Sequence, residues 1–553
     1  MLFTAAVIAR FFQLTVIQHK FYASWAENEH LLSKTLIPVR GQIFVHENKT
    51  GAIVPVVTNI KKDLVFAEPP DIVDKQTTAA TLARLLELPR AQILEKISDN
   101  EKKWVSLKKE LSESQSLAIV ALKLSGIHLQ SESYRFYPEK NFASQVLGFL
   151  GFNGDTRTGR YGIEENYDRT LAGSAGFLSL EKDLKGGWIT SVNRDVEAAV
   201  DGADIVLTLD RAIQFKAEEI LKDTVEQHKA DGGSLIVLEP KTGKVLAMAS
   251  FPNFDPNTFN QVEDVGVFRN RAITDTYEPG SVFKPMTMSA AIDTGAVTPD
   301  TTFEDTGVVE LAGYQIHNAN NKVYGVSSMT RVLEQSINTG AVFAEEKTGK
   351  EKFLEYVKRF GFGSTTGITL PAESGGDIRN LPNGGDVHYA TASFGQGITV
   401  TVLQMAQAYA TIANGGKMMK PYIVEKIIRK TVPPEEIGTQ EVRQVISTQS
   451  ANTLGAMLVN VVENGHGKRA AVPGYYIAGK TGTAQVAKAG GGYDPSITNG
   501  TFAGFGPAEN PRFVIVVKIT NPKDVRFAES TAAPAFGEMA KFLVNYLQIP
   551  PTR

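Results

Sequence analysis

The chain has 553 residues, no cysteine and a formal net charge of −3. That length is too great for one hydrophobic core, so two or three domains are expected. The missing cysteine excludes disulfides, thiolate metal sites and a cysteine nucleophile; the charge speaks against a nucleic-acid partner; and the eight histidines, scattered without a His-x-x-x-His pair, give no metal site and ask for no cofactor.

Residues 1–18, MLFTAAVIARFFQLTVIQ, are apolar apart from Arg10 and a few short polar side chains. Eighteen residues of helix span about 27 Å, just short of a ~30 Å hydrocarbon core. The expectation is a single membrane anchor, clipped at its cytoplasmic start, with the remainder on the extracytoplasmic side of the cell membrane. A buried N-terminal helix is the alternative; a signal peptide is disfavoured because no small-residue cleavage site follows.

Residues 19–200 read as a mixed α/β domain. Ile37–Phe44 and Ala52–Glu68 alternate or run apolar as strands do, and 74–125 reads as helical, with Leu82, Leu85 and Leu86 at helical spacing. Gly126-Ile-His-Leu129 reads as a strand and Arg135-Phe-Tyr-Pro138 as an extended segment. Arg40, Arg135 and Glu164 are candidates for a structural ion-pair cluster or for solvated surface. No nucleophile–base pair occurs here, so this half reads as a pedestal or dimerisation-type domain without chemistry of its own.

A composition change near Asp201 opens the second domain, 201–553. Asp210 is placed to cap a helix whose apolar residues are Ile213, Ala217, Ile220, Leu221 and Val225. Ser234–Glu239 and Lys244–Ser250 flank a Pro-Lys-Thr-Gly turn, and Phe502–Gly506 and Arg512–Ile519 flank Pro-Ala-Glu-Asn-Pro, so a hairpin lies at each end. Leu403–Asn414 is helical and stops at Gly415-Gly416, and Ala533–Leu547 is a final amphipathic helix. An α+β domain follows, with one antiparallel sheet built from both ends of the segment and helices packed on it.

Three short stretches carry chemistry. Ser281 and Lys284 lie three apart, so on a helix the amine can reach the hydroxyl. Pro285 is tolerated only near a helix start, which puts Ser281 in the first turn. A desolvated lysine loses its proton readily and can then act as a base toward serine. Next comes Ser336-Ile-Asn338: in a short loop both polar groups can face one cavity, where a hydroxyl relays a proton and an amide holds a carbonyl. Finally, in Lys480-Thr481-Gly482-Thr483, a cation and two hydroxyls suit a carboxylate, and Gly482 lets a peptide lie close to a strand. Taken singly, each stretch is a weak signal and reads more readily as a polar surface segment, and Lys-Thr-Gly recurs at Lys241 and Lys347, which read as turns.

Taken together, Ser-x-x-Lys, Ser-x-Asn and Lys-Thr-Gly, in order, with Arg40-Gly41, Arg135-x-Tyr-Pro138, Gly162-Ile-Glu164 and Ala533-Pro534-Ala-Phe536, resemble the class B penicillin-binding proteins over nearly the whole chain. The resemblance implies a transpeptidase fold, an antiparallel sheet with helices on both sides, above an N-terminal pedestal and a membrane helix. It also implies a serine-type peptidoglycan D,D-transpeptidase that cross-links stem pentapeptides with release of D-alanine and is blocked by β-lactams. In this reading Ser281 is the nucleophile and Lys284 the general base. Ser336 relays the proton to the departing D-alanine, and Asn338 and Lys284 hold each other in place. Lys480 and Thr483 bind the terminal carboxylate, and the backbone N–H groups of Ser281 and Thr483 form the oxyanion hole. A membrane glycan polymerase and divisome proteins are the implied partners.

Ser336-Ile-Asn338 followed by Thr-Gly-Ala-Val resembles the septal and sporulation branch rather than the elongation branch. A β-lactamase is disfavoured because Glu373-Ser-Gly-Gly-Asp377 lacks the Leu-Asn of a deacylating loop. A D,D-carboxypeptidase would use the same residues, and a non-enzymatic division scaffold would not need the motifs intact. Two departures from the family pattern are Ile337, where a small residue is commoner, and Phe527-Ala-Glu-Ser-Thr531, where a glycine-containing turn is usual.

Overall fold

The computed structural model describes Thr4, Val7 and residues 10–18, 31–47, 51–154, 156–181, 195–487 and 492–553. The architecture of the second half follows from strands that are apolar on both faces. In Gly232–Leu238 every residue is buried. Leu235 and Val237 face one apolar cluster and Ile236 and Leu238 the other. Such a strand needs cover on both sides, and period-two alternation assigns each residue its layer.

The sheet is five-stranded, in the order Val245–Phe251, Gly232–Leu238, Phe513–Thr520, Tyr493–Gly506, Ala478–Ala487. All neighbours are antiparallel. Two strands thus come from the start of the domain and three from its end. One face is covered by helices Arg211–Gln227 and Ala532–Tyr546. On the other lie Lys284–Asp293, Val402–Ala413 and Thr448–Glu463. Asp210 caps the first helix by accepting from the Ile213 N–H at 2.9 Å, and the apolar residues expected inward there are buried.

A second sheet crosses position 201. Its order is Glu435–Glu436, Val424–Ile428, Asp204–Asp210, Ile43–Glu47, Ala52–Ala67, Val105–Lys108, with Ile127–Phe136 also paired to Ala52–Ala67. Asp204–Asp210 runs parallel to Ile43–Glu47, so the two halves share a sheet and a continuous apolar core. The 74–125 segment is not helical throughout. Helices Lys75–Leu86, Arg90–Ser98 and Glu113–Leu122 are interrupted by the strand Val105–Lys108. There the ladder to Ala52–Ala67 and burial of Leu107 outweigh local helix propensity.

Glu164 is wholly buried and takes Arg40 on one carboxylate oxygen and Arg135 on the other, the latter at 2.7 Å. Arg40 also reaches Asp168 at 2.8 Å. The residues expected to pair are therefore one buried ionic cluster. Part of the expected anchor, residues 1–3, 5, 6, 8 and 9, lies outside the described residues. Within the rest of it Gln13–Ile17 form a π-helical turn. Among the described residues no helix is long and apolar enough to cross a membrane.

Candidate active site

Ser281 sits in a 3₁₀ turn, Gly280–Phe283, and the α-helix starts only at Lys284. The sequence expectation put Ser281 inside the helix. The cause of the shift is Pro285, which has no N–H to give the Ser281 carbonyl, so the Lys284 N–H closes a tighter turn onto that oxygen. Residues three apart eclipse in a 3₁₀ turn, so Ser281 and Lys284 still share a side. The turn is held from two directions: the Gly280 N–H donates to the Gly395 carbonyl at 3.0 Å, and the buried Tyr409 hydroxyl donates to the Val282 carbonyl at 2.9 Å.

Lys284 is 1% exposed. Its Nζ lies 2.5 Å from the Ser336 carbonyl oxygen, 3.1 Å from Ser336 Oγ and 2.8 Å from Asn338 Oδ1. Asn338 is oriented by its own Nδ2, which donates to the His317 carbonyl at 2.9 Å. Ile337 between them is fully buried, and this apolar anchor lets Ser336 and Asn338, two apart, meet the same amine. The price is a left-handed Ser336, φ 56°, a conformation that costs a non-glycine residue energy and persists where surroundings impose it.

Behind this loop stands a buried polar brace. Asn318 Oδ1 accepts from the Asn338 and Thr339 N–H groups at 2.9 and 3.2 Å, capping the helix Asn338–Thr348. Asn318 Nδ2 donates to both oxygens of Asp305 at 3.0 Å, and the Thr339 hydroxyl donates to Asp305 at 2.6 Å.

Lys480 is 0% exposed and lies on the edge strand Ala478–Ala487. Strand alternation puts Thr481 and Thr483 on one face and Lys480 on the other, so a common ligand would reach all three from the outer edge of this terminal strand. Lys480 Nζ donates to the Thr481 carbonyl at 3.1 Å. Thr483 Oγ1 accepts from the Ala528 N–H at 3.0 Å, which leaves its own proton for a ligand. The unusual 527–531 turn therefore supports Thr483 directly. Gly482 has a different job from the one expected. A Cβ there would come within 2.9 Å of the Pro279 carbonyl oxygen and of Val282, so the room is taken by the Ser281 turn.

The charges of the two lysines follow from burial. Desolvation, and then the charge of Lys480, hold Lys284 well below the ordinary lysine range. Desolvation brings Lys480 down to about 7, opposed by the charge of Glu529. The Ser336 carbonyl and Asn338 Oδ1 can only accept; they use both N–H bonds of a neutral amine and leave its lone pair for a hydroxyl. The arrangement thus suits a lysine that takes a proton from serine beside a cation that attracts an anion.

The other two Lys-Thr-Gly copies lie elsewhere. Lys241 is in the turn after Gly232–Leu238, bonded to Asn510 at 2.8 Å. Lys347 is in the last turn of the helix Asn338–Thr348 rather than in a loop. Sequence reading missed Gly395, Tyr409, Asn318 and Asp305. None of them stands inside a motif, and only the Gly395-Gln-Gly397 pair hints at a special backbone.

Residues 233–541 match the family model of the penicillin binding protein transpeptidase domain, and residues 35–207 match that of the penicillin-binding protein dimerisation domain. The chain is 33% identical over 528 residues to stage V sporulation protein D of Bacillus subtilis, covering 93% of this chain and 79% of that protein. To the peptidoglycan D,D-transpeptidase FtsI of Escherichia coli it is 31% identical over 506 residues, 90% and 82% of the two chains. Among solved structures it resembles a peptidoglycan synthetase from Bifidobacterium adolescentis, with TM-score 0.75, 26% identity and coverage of 95% and 98%. It also resembles penicillin binding protein 3 of Mycobacterium tuberculosis complexed with aztreonam, with TM-score 0.72, 28% identity and coverage of 94% and 98%.

Proposed function

The chain belongs to the penicillin-binding protein transpeptidases, class B and of the division (septal) type, and from that premise we propose how its residues divide the reaction. It is a serine-type peptidoglycan D,D-transpeptidase inhibited by β-lactams. Ser281 Oγ attacks the carbonyl of the penultimate D-alanine of a stem pentapeptide while the neutral Lys284 amine takes its proton. The oxyanion is met by the backbone N–H groups of Ser281 and Thr483. Ser336 relays the proton to the departing D-alanine, and Asn338 keeps the Lys284 amine in place. Lys480, with the Thr481 and Thr483 hydroxyls, receives the terminal carboxylate, and Gly482 allows the nucleophile turn to pack on that strand. An amine of a neighbouring stem then resolves the acyl-enzyme and forms the cross-link.

The observation that supports this reading most is the meeting of the buried Lys284 amine with Ser336 and Asn338, more than fifty residues away in sequence, beside Lys480. We further propose that residues 1–18 anchor the chain in the cell membrane as a single pass, that 19–200 form a pedestal docking a membrane glycan polymerase and divisome proteins, and that 201–553 carry the chemistry outside the cytoplasm. Labelling with fluorescent penicillin, followed by mass-spectrometric mapping, tests the assignment. The adduct is expected on Ser281; an adduct on Ser336 would overturn the division of roles.

A further inference from the structure

Every residue assigned so far serves the donor peptide. A transpeptidase has a second substrate, an amine that is protonated near neutral pH and must lose a proton before it attacks. Three residues before Ser281 stands Glu278, half-buried. Its Oε1 accepts from the Gly397 N–H at 3.1 Å and from the Tyr493 hydroxyl at 3.3 Å. Its Oε2 is buried and has no hydrogen-bond partner among the described residues. Burial raises the pKa of this carboxyl, tempered by those two bonds, and no cation contributes.

The carboxylate is tied into the site by its neighbours. Gly280 bonds Gly395 while Glu278 bonds Gly397, so the 395–397 loop runs beside the nucleophile turn. Tyr493 pairs with Ala487, at the outer end of the strand that carries Lys480 to Thr483. The strand that carries Lys480 and the Glu278 carboxylate, which no cation compensates, therefore both adjoin the nucleophile turn. A half-buried anion with one oxygen unsatisfied is costly unless a cation arrives, and the acceptor is the cation this chemistry brings.

We propose that Glu278 binds the protonated amine of the acceptor peptide and takes its proton. This rests on the transpeptidase reading above. R–NH₃⁺ gives one proton to the Glu278 carboxylate, and the freed lone pair forms a C–N bond to the acyl carbonyl as the C–Oγ bond to Ser281 breaks. The second proton leaving the nitrogen returns through Lys284 to Ser281 Oγ, and the Glu278 proton passes to solvent.

The test separates the two half-reactions in the full chain, with an acyl-D-alanyl thioester as donor and D-alaninamide as acceptor amine. Glu278→Gln keeps the shape and removes the charge. It is expected to acylate with fluorescent penicillin at close to the parent rate, but to need at least about tenfold more D-alaninamide for half-maximal transfer, with product shifted toward hydrolysis. Glu278→Asp, which restores the charge on a shorter arm, should recover part of the transfer, as a purely structural brace would not. Unchanged transfer in Glu278→Gln, or acylation and transfer lost in equal measure, would overturn the proposal. A parent chain that fails to acylate at all would instead sink the transpeptidase reading, and this inference with it.

Discussion

Two lysines buried side by side cannot both stay charged cheaply, and the site uses that conflict. Lys284 works as a base only when neutral, and Lys480 attracts a carboxylate only when charged. Since Lys480 is held at about 7, the second-order rate of penicillin acylation should fall as pH rises through that value. On the acid side it should fall as Lys284 gains a proton, giving a bell-shaped profile in the free enzyme. A rate that keeps climbing above pH 7 to about 9 would show that Lys480 is not the anion's partner. Ser281→Ala should abolish covalent labelling with the fold intact, and Lys284→Ala should slow acylation severely, because members of one catalytic unit are not additive. Lys480→Ala should weaken capture of substrate and drug alike, by roughly 2–4 kcal/mol. Intact-protein mass spectrometry against time reads all three.

At the level of elements, the nucleophile turn is wedged between the edge strand and the 395–397 loop. Gly395 has φ 82°, and a Cβ there would stand 2.2 Å from the Gly280 carbonyl oxygen. Gly395→Ala must therefore force the turn and the 395–397 loop apart. A displacement of about 1 Å costs on the order of a hundredfold in a positioned reaction, so acylation should drop far more than thermal stability does. Tyr409→Phe removes a buried hydroxyl from the Val282 carbonyl and leaves that acceptor unsatisfied, a loss of about 1–3 kcal/mol in denaturant unfolding. If Gly395→Ala acylates like the parent, the turn is not held by this packing.

Across the whole molecule, the halves are joined by more than a linker. Within the first half, Glu164 neutralises Arg40 and Arg135 in a buried cluster. Glu164→Ala would leave the buried Arg135 guanidinium uncompensated and Arg40 with Asp168 alone, which should cost about 3–5 kcal/mol of unfolding free energy. Glu425 binds His46 of the first half and Lys244 of the second. The His46 hydrogen bond first, and then Lys244, pull its carboxyl down to about 2 against burial. Its folded pKa lies below the unfolded one, so its contribution is present above about pH 4.5 and fades as pH falls toward 2. Denaturant titrations at pH 6 and about pH 3 should therefore differ less for Glu425→Gln than for the parent. A chain beginning at Asp201 would lose one of the two strand partners of Asp204–Asp210, Ile43–Glu47, and the first-half cover over Ile205, Leu207 and Leu209. It should acylate with penicillin only to the extent that it folds, with a lower melting temperature than the full chain.

Much of this protein is legible in the chain itself, because local rules suffice. Apolar runs on either side of turn residues marked the doubly buried strands, Asp210 announced its helix, and Ser281, Lys284, Ser336, Asn338 and Lys480 stand in motifs whose order points to a family. What lay beyond the sequence depends on groups distant in the chain becoming neighbours. Period-two reading cannot tell that Val105–Lys108 finds a ladder partner, nor that Asp204–Asp210 pairs with Ile43–Glu47. The depressed pKa of Lys284 comes from removal from water and then from the charge of Lys480, some two hundred positions away. The brace of Asp305 and Asn318, the packing of Gly395 on Gly280, and the lone oxygen of Glu278 have no local signature at all. Proximity and desolvation set the chemistry of each of these groups, and both are properties of the packed tertiary structure rather than of any stretch of residues.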